Sequence, residues 1–322
     1  MHARDIWEGK GFGPVLARAV LTPFSWLYAL GWRGYELVYK SGWKRAVHPH
    51  SPIICIGNLT VGGTGKTPVT MAVVQALIDS GRLVVVGASG YGSAAAEGAS
   101  LAPNGSLSAL TWGDEPALFR EEFPDVPIIV GRARVKAAEI CAAEFPNSVL
   151  VMDDGFQHLP LSKDICIVLD PPATNHLCLP AGPYREPRSG LCKADLILPG
   201  AFELVHSPLL FDRPPPEEAV VMSAIGQPAL FIQGVVESGV RVVRTITLGD
   251  HDDLQGGTLF DTIPPGVPII VTAKDWVKLR ERGDLDKVRI IVARRKTTIS
   301  RAPEFASWLT EKLDDKETHV QQ

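Results

Sequence analysis

From residue 52 onward, short apolar runs alternate with segments whose apolar residues recur every three or four positions. The runs at 52–56, 83–87, 126–130, 148–152, 165–169 and 195–198 predict strands, and the periodic segments at 69–79, 115–122 and 133–144 predict helices. The strand runs are continuous in Val and Ile rather than alternating with polar residues. A parallel sheet covered on both faces by helices has that pattern. Sheets of this kind bind ligands beyond the carboxyl ends of their strands. Around 200–217 the pattern breaks, and Arg213-Pro214-Pro215-Pro216 marks a linker or exposed loop. Beyond it, 240–248, 267–272 and 288–292 predict strands of a smaller lobe, while 228–237 fits either helix or strand. The charged tail, 314–322, predicts a frayed end. The organisation read from this is an N-terminal helical segment (1–50), an α/β core (51–217) and a smaller C-terminal α/β lobe (218–322).

The N-terminal segment follows a different pattern. Its apolar stretch of 14 residues, 19–32, lies between Arg18 and Arg33 and contains Pro23. A bilayer-spanning helix needs about 20 residues, and the Trp- and Tyr-rich continuation is unlike a secretory signal. Two readings stay open. In one, Phe24, Trp26, Leu27, Tyr28, Leu30 and Trp32 sit among lipid headgroups while Arg33, Lys40, Lys44 and Arg45 meet anionic lipid. In the other, a helical hairpin packs on the protein's own core.

Charge sharpens this division. Residues 1–50 carry seven Lys/Arg against three Asp/Glu, a net of +4, so residues 51–322 hold −8 of the total −4. Four of seven Trp and three of five Tyr also fall in the first 50 residues. A basic, aromatic start on an acidic body points toward membrane surfaces and offers no overall basic field for nucleic acid. The five cysteines show no CxxC spacing, and some lie inside apolar runs; they predict reduced, mostly buried thiols in a cytosolic protein.

The first chemical motif follows the first core strand: Thr60-Val61-Gly62-Gly63-Thr64-Gly65-Lys66-Thr67. Glycines let successive backbone N–H groups wrap a phosphate, Lys66 reaches the β/γ oxygens, and Thr67 meets Mg²⁺. Thr60 stands where the strict pattern has Gly. Pro68 suits the first helical turn. A second strand ends in Asp153-Asp154, the position from which a Walker B carboxylate reaches magnesium. The fold class expected is therefore a P-loop NTPase-like parallel sheet flanked by helices. Alone, Asp114 in Trp112-Gly113-Asp114-Glu115-Pro116 reads as a helix N-cap, and Asp250-His251-Asp252-Asp253 as a polar loop.

Together, five segments resemble the tetraacyldisaccharide 4'-kinase, or lipid A 4'-kinase, family: IGNLTVGGTGKTP (56–68), GDEP (113–116), DDGFQH (153–158), LPAGPYREP (179–187) and TAKDWVKL (272–279). The resemblance implies ATP-dependent phosphorylation of the 4'-hydroxyl of an acylated glucosamine disaccharide 1-phosphate. It implies ATP and Mg²⁺, an acylated lipid substrate, and peripheral attachment to the cytoplasmic face of a bacterial inner membrane through the N-terminal segment. By position, Asp114 matches the catalytic aspartate and His251 its partner, with Lys66, Asp153 and Asp154 neutralising charge. Glu115 and Gln157 join Thr67 and the two aspartates as metal-site candidates, with His158 nearby. Asn58, Tyr91, Arg134 and Arg185 are candidates for substrate contact, and Thr272-Ala273-Lys274-Asp275 for the border of the adenine. The chain departs from the family pattern at Ser89, where Arg is usual, at Asp252, where a second His is usual, and at Thr174-Asn175-His176 in place of a GNG turn.

Two other readings are carried alongside. One is a P-loop nucleotide switch in which Thr272-Ala273-Lys274-Asp275 reads the base. The other is a membrane-bound homologue with weakened catalysis, suggested by Ser89.

Overall fold

The structure, a computed structural model, describes residues 3–320. It opens with α1 (Ala3–Glu8) and α2 (Phe12–Lys40). Arg18 on α2 donates from Nη1 to the carbonyls of Ile6 (2.6 Å) and Gly9 (2.7 Å), satisfying acceptors left free where α1 ends.

The core then runs β1 (Ile53–Asn58), α3 (Lys66–Asp79), β2 (Val84–Ala88), β3 (Ser100–Leu101), α4 (Ala109–Trp112), α5 (Asp114–Glu122), β4 (Ile128–Val130), α6 (Arg134–Glu144), β5 (Val149–Asp153), β6 (Ile165–Leu169) and β7 (Leu196–Leu198). These strands form one sheet in the order β3-β4-β2-β5-β1-β6-β7, parallel except for the edge strand β3. The continuous Val/Ile runs are explained by burial on both faces. Ile54 and Ile56 pack with Val69, Val73 and Leu77 of α3, while Ile53, Leu150 and Met152 pack on the other side with Ala137, Ala138 and Cys141 of α6. Each of the Val, Ile, Leu and Met side chains contributes about 1.5–3 kcal/mol on leaving water.

The rest of the chain is β8 (Leu204–His206), β9 (Leu210–Phe211), β10 (Glu218–Ser223), α7 (Pro228–Glu237), β11 (Arg241–Thr247), β12 (Ile269–Thr272), α8 (Ala273–Leu279), β13 (Ile290–Arg294), β14 (Thr297–Ile299) and α9 (Ala302–Val320). A second sheet has the order β11-β10-β12-β13-β9, and β8 pairs with β14 in a two-stranded ribbon joining the lobes. Residues 228–237 are helical, burying Phe231, Gly234 and Val235 at helical spacing. The expected linker, 200–217, contains β8 and β9. The last helix does not stay with the smaller lobe: Phe305, Leu309 and Leu313 enter the core of the first sheet. The tail expected to fray from 314 continues this helix to Val320, and residues 321–322 lie outside the described residues.

Pro23 does not break α2, which runs unbroken for 29 residues. The two faces of α2 differ. One face docks on the core: Ser25 is buried and accepts from the Ala181 N–H at 2.9 Å, and Tyr28 donates to the Arg185 carbonyl at 2.8 Å. Trp32, expected outward, turns inward, with Lys193 Nζ 5.9 Å from its ring centroid. The other face exposes Phe12, Leu16, Val20, Phe24, Leu27 and Leu30. Among the described residues no helix is long and apolar enough to cross a membrane.

Candidate active site

Both sheets point the carboxyl ends of their parallel strands at one cleft of about 1700 Å³. From the large sheet, β1 delivers the 60–67 loop, β2 delivers Ser89 and Tyr91, β4 delivers Arg134, and β5 delivers Asp154. From the small sheet, β10 delivers Gly226 and Gln227, β11 delivers Asp250 and His251, and β12 delivers Lys274.

The whole loop Thr60–Thr67 lines this cleft. Gly62 and Gly65 have φ of 100° and 81°, where a side chain would be strained. Thr60 has no such need. It bridges Tyr184 in extended conformation, which accounts for Thr where Gly is usual. Lys66 Nζ is 3.2 Å from Asn58 Oδ1 and 3.7 Å from Asp154 Oδ2. Asn58 itself is fully buried beneath the loop, where its amide also donates to the Thr60 carbonyl at 2.7 Å. Expected at the substrate, Asn58 instead holds the loop.

The two aspartates diverge because Asp154 takes a left-handed φ of 54°, a conformation Asp tolerates. Asp153 turns inward to accept from Thr67 Oγ1 and Thr70 Oγ1, both at 2.9 Å, and burial raises its pKa. Asp154 faces Lys66 and Arg185. Burial alone would raise its pKa, but these cations prevail and lower it. Arg134 braces the turn, donating from Nη2 to the carbonyls of Asp153 (2.6 Å) and Asp154 (3.0 Å), while its buried Nη1 has no hydrogen-bond partner among the described residues. That unpaired cationic donor, with the buried and unpaired Thr64 hydroxyl, suits an anion arriving at the loop. Gln157, a metal-site candidate, has its amide nitrogen on the Asn58 carbonyl (2.8 Å) and Glu186 (2.9 Å). His158 lines the cleft, with its pKa lowered by burial and by Lys163 and Arg134.

The donors near Asp153 are hard oxygens: the Thr67 hydroxyl and the carboxylates of Asp153, Asp154 and Glu115. They fit Mg²⁺, which completes its shell with water and phosphate oxygens. Among the described residues no three His, Cys, Asp or Glu are grouped to hold a metal alone. Glu115 is pushed up to about 7, by desolvation first and then by Asp153 and Asp114. The Ser89 hydroxyl donates to its Oε2 at 3.3 Å.

Across the cleft, Asp114 begins α5 and its Oδ2 lies 3.0 Å from His251 Nδ1. Gly113 makes this possible: with φ of 98° it packs so close to Gly90 that a Cβ would come within 2.9 Å. Burial would raise the Asp114 carboxyl, but the His251 hydrogen bond and Lys274 hold it at about 2. The same hydrogen bond raises His251, whose ring lies 5.3 Å from Tyr91. Lys274, expected at the adenine, instead has its Nζ 3.4 Å from Asp114 Oδ2 and 3.7 Å from Asp250. Asp275 cannot read a base. It is fully buried, accepting from Ala224 N (3.2 Å) and paired with Lys278 (3.3 Å).

This arrangement can hold a polyphosphate at one wall and take a proton from a hydroxyl at the other. A family model described as LpxK, tetraacyldisaccharide-1-P 4'-kinase, matches residues 17–209 and 210–314. A tetraacyldisaccharide 4'-kinase of Verminephrobacter eiseniae is 35% identical over 304 residues, spanning 85% of this chain and 67% of the relative. One of Actinobacillus succinogenes is 34% identical over 278 residues, spanning 80% and 85%. The crystal structure of Aquifex aeolicus LpxK in complex with ATP superposes with a TM-score of 0.77 at 25% identity, covering 92% of this chain and 99% of that one. With both lobes matched in sequence and in fold, the chain belongs to the tetraacyldisaccharide-1-P 4'-kinase family.

Proposed function

We propose that the chain transfers the γ-phosphoryl group of ATP to the 4'-hydroxyl of a tetraacylated glucosamine disaccharide 1-phosphate, with Asp114 and His251 managing the proton. The observation that carries this is the 3.0 Å contact between Asp114 Oδ2 and His251 Nδ1 in the same cleft as the phosphate loop. With Nδ1–H donated to Asp114, His251 carries its lone pair on Nε2, 3.5 Å from Lys274 Nζ, and accepts the hydroxyl proton there. The hydroxyl oxygen bonds to the γ-phosphorus as the bond to the bridging oxygen breaks, and ADP leaves with that electron pair. Lys66 and the loop N–H groups stabilise the phosphates, with Arg134 and Arg185 beside them. Thr67 and Asp153 would hold Mg²⁺, with Asp154 and Glu115 nearby; bound there, the ion neutralises phosphate charge.

The exposed apolar face of α2, followed by Lys40, Lys44 and Arg45, suits peripheral attachment to an anionic membrane surface. For a lipid substrate made in bacteria this is the cytoplasmic face of the inner membrane, where ATP is available. The test is transfer of labelled γ-phosphate from ATP to the acylated disaccharide by the purified protein in detergent. No lipid product, together with preference for GTP, overturns the kinase reading in favour of a nucleotide switch.

A further inference from the structure

Glu186 is fully buried, yet none of the roles above uses it. Its two carboxylate oxygens take different partners along one chain of contacts. Oε1 accepts from Gln157 Nε2 at 2.9 Å, and that same nitrogen reaches the Asn58 carbonyl at 2.8 Å. Asn58 in turn holds Lys66 of the phosphate loop and bonds Arg185. Oε2 meets Lys193 Nζ at 2.5 Å, and the same ammonium meets Glu36 Oε1 of α2 at 2.6 Å. A buried carboxylate without its cation is costly, so Lys193 cannot leave Glu186 cheaply. Glu36 therefore ties α2 to a group that reaches the phosphate loop through Gln157 and Asn58.

The geometry points to Lys193 as a positioning residue: through Glu186, Gln157 and Asn58 it makes the placement of Lys66 and Arg185 depend on α2 being docked through Glu36. This goes beyond the proposed reaction and rests only on residues 60–67 being the phosphate loop. Two further contacts run the same way, because Tyr28 and Ser25 of α2 hold the backbone at Arg185 and Ala181. A side chain that served α2 attachment alone would need no second carboxylate beneath the loop.

The experiment measures affinity of the full chain for a fluorescent ATP analogue, beside kcat for lipid phosphorylation and the melting temperature. Glu36→Gln leaves the Glu186–Lys193 pair intact, so it removes only the outer link. It should weaken analogue binding about three- to tenfold and lower kcat comparably at an unchanged melting temperature. Lys193→Met should lose at least as much, Lys193→Arg should recover most of it, and Glu36→Gln combined with Lys193→Met should be no worse than Lys193→Met alone. Wild-type affinity and kcat in Glu36→Gln, or losses that multiply in the double variant, overturn the coupling. Analogue binding without lipid product in the unaltered protein would fault the proposed acceptor and leave the coupling to be judged on affinity.

Discussion

Asp114 and His251 meet at 3.0 Å although 137 positions separate them, one at the start of α5 in the large lobe, the other after β11 in the small one. Two lobes must therefore close on each other before the pair exists. Gln227 Nε2 donating to the Gly63 carbonyl at 2.8 Å, and the Arg280 pairing with Glu121, hold them together.

If this pair handles the proton, Asp114→Asn should lower kcat by about 10²–10⁴ while changing ATP affinity little. Initial rates at saturating acceptor, with a separate nucleotide titration, decide it. Loss of ATP affinity as the main effect would make Asp114 part of the nucleotide site.

The pH profile gives a second view. Asp114 raises His251 above 6.5, and the proposed proton transfer needs His251 deprotonated, so kcat/KM should climb with pH through a value above 6.5. Removing the Lys274 cation by Lys274→Met favours imidazolium and should move that limb to higher pH. A limb that stays in place would mean Lys274 does not act on the pair.

Much of this was legible locally. The strands at 53–58 and 149–153 open with the apolar runs 53–56 and 149–152 because they are buried on both faces, and the phosphate loop is one contiguous segment. Contacts between distant segments were not. Asp114 alone looked like a helix cap, and only family resemblance paired it with His251. Nothing in TAKD indicated that Lys274 would face Asp114 while Asp275 turned into the core. Strand β10, buried along Ala219–Met222, escaped because four apolar residues beside a Pro-rich stretch resemble any loop. The return of α9 to the first sheet was equally hidden, since periodicity tells that a face is buried and not against what.

Glu115 offers a prediction on stability. Its folded pKa of about 7 lies above the ordinary glutamate value of 4.5, so the folded state binds its proton more tightly. That stability is present below pH 4.5 and lost as pH rises through about 7. Glu115→Gln should therefore be more stable than the parent at pH 8 by roughly 1–3 kcal/mol, and melt higher, with the gap closing at pH 5. Thermal unfolding without nucleotide or Mg²⁺ checks the sign, and activity should fall in the same variant.

Ser89 stands beside Glu115, at the position where the family resemblance read from the sequence leads to an expectation of Arg. A guanidinium there would neutralise the carboxylate and add positive charge near the transferring phosphoryl group. Ser89→Arg should raise kcat several-fold, read in the lipid phosphorylation assay. An unchanged rate would remove the reason to regard this chain as catalytically weakened.

The outer face of α2 can be tested without disturbing its docked face. Deleting residues 1–45 would also remove Ser25, Tyr28 and Glu36, which hold the Arg185 loop, so loss of activity would not isolate membrane contact. Leu16→Asp with Leu27→Asp instead places two charges on exposed positions only (52% and 65% accessible). Each removes apolar area that would enter the headgroup region, and adds charge repelled by anionic lipid. Co-sedimentation with anionic phospholipid vesicles should fall about tenfold or more, while ATP-analogue affinity and melting temperature stay at parental values. Undiminished sedimentation would show that this face is not what meets the membrane.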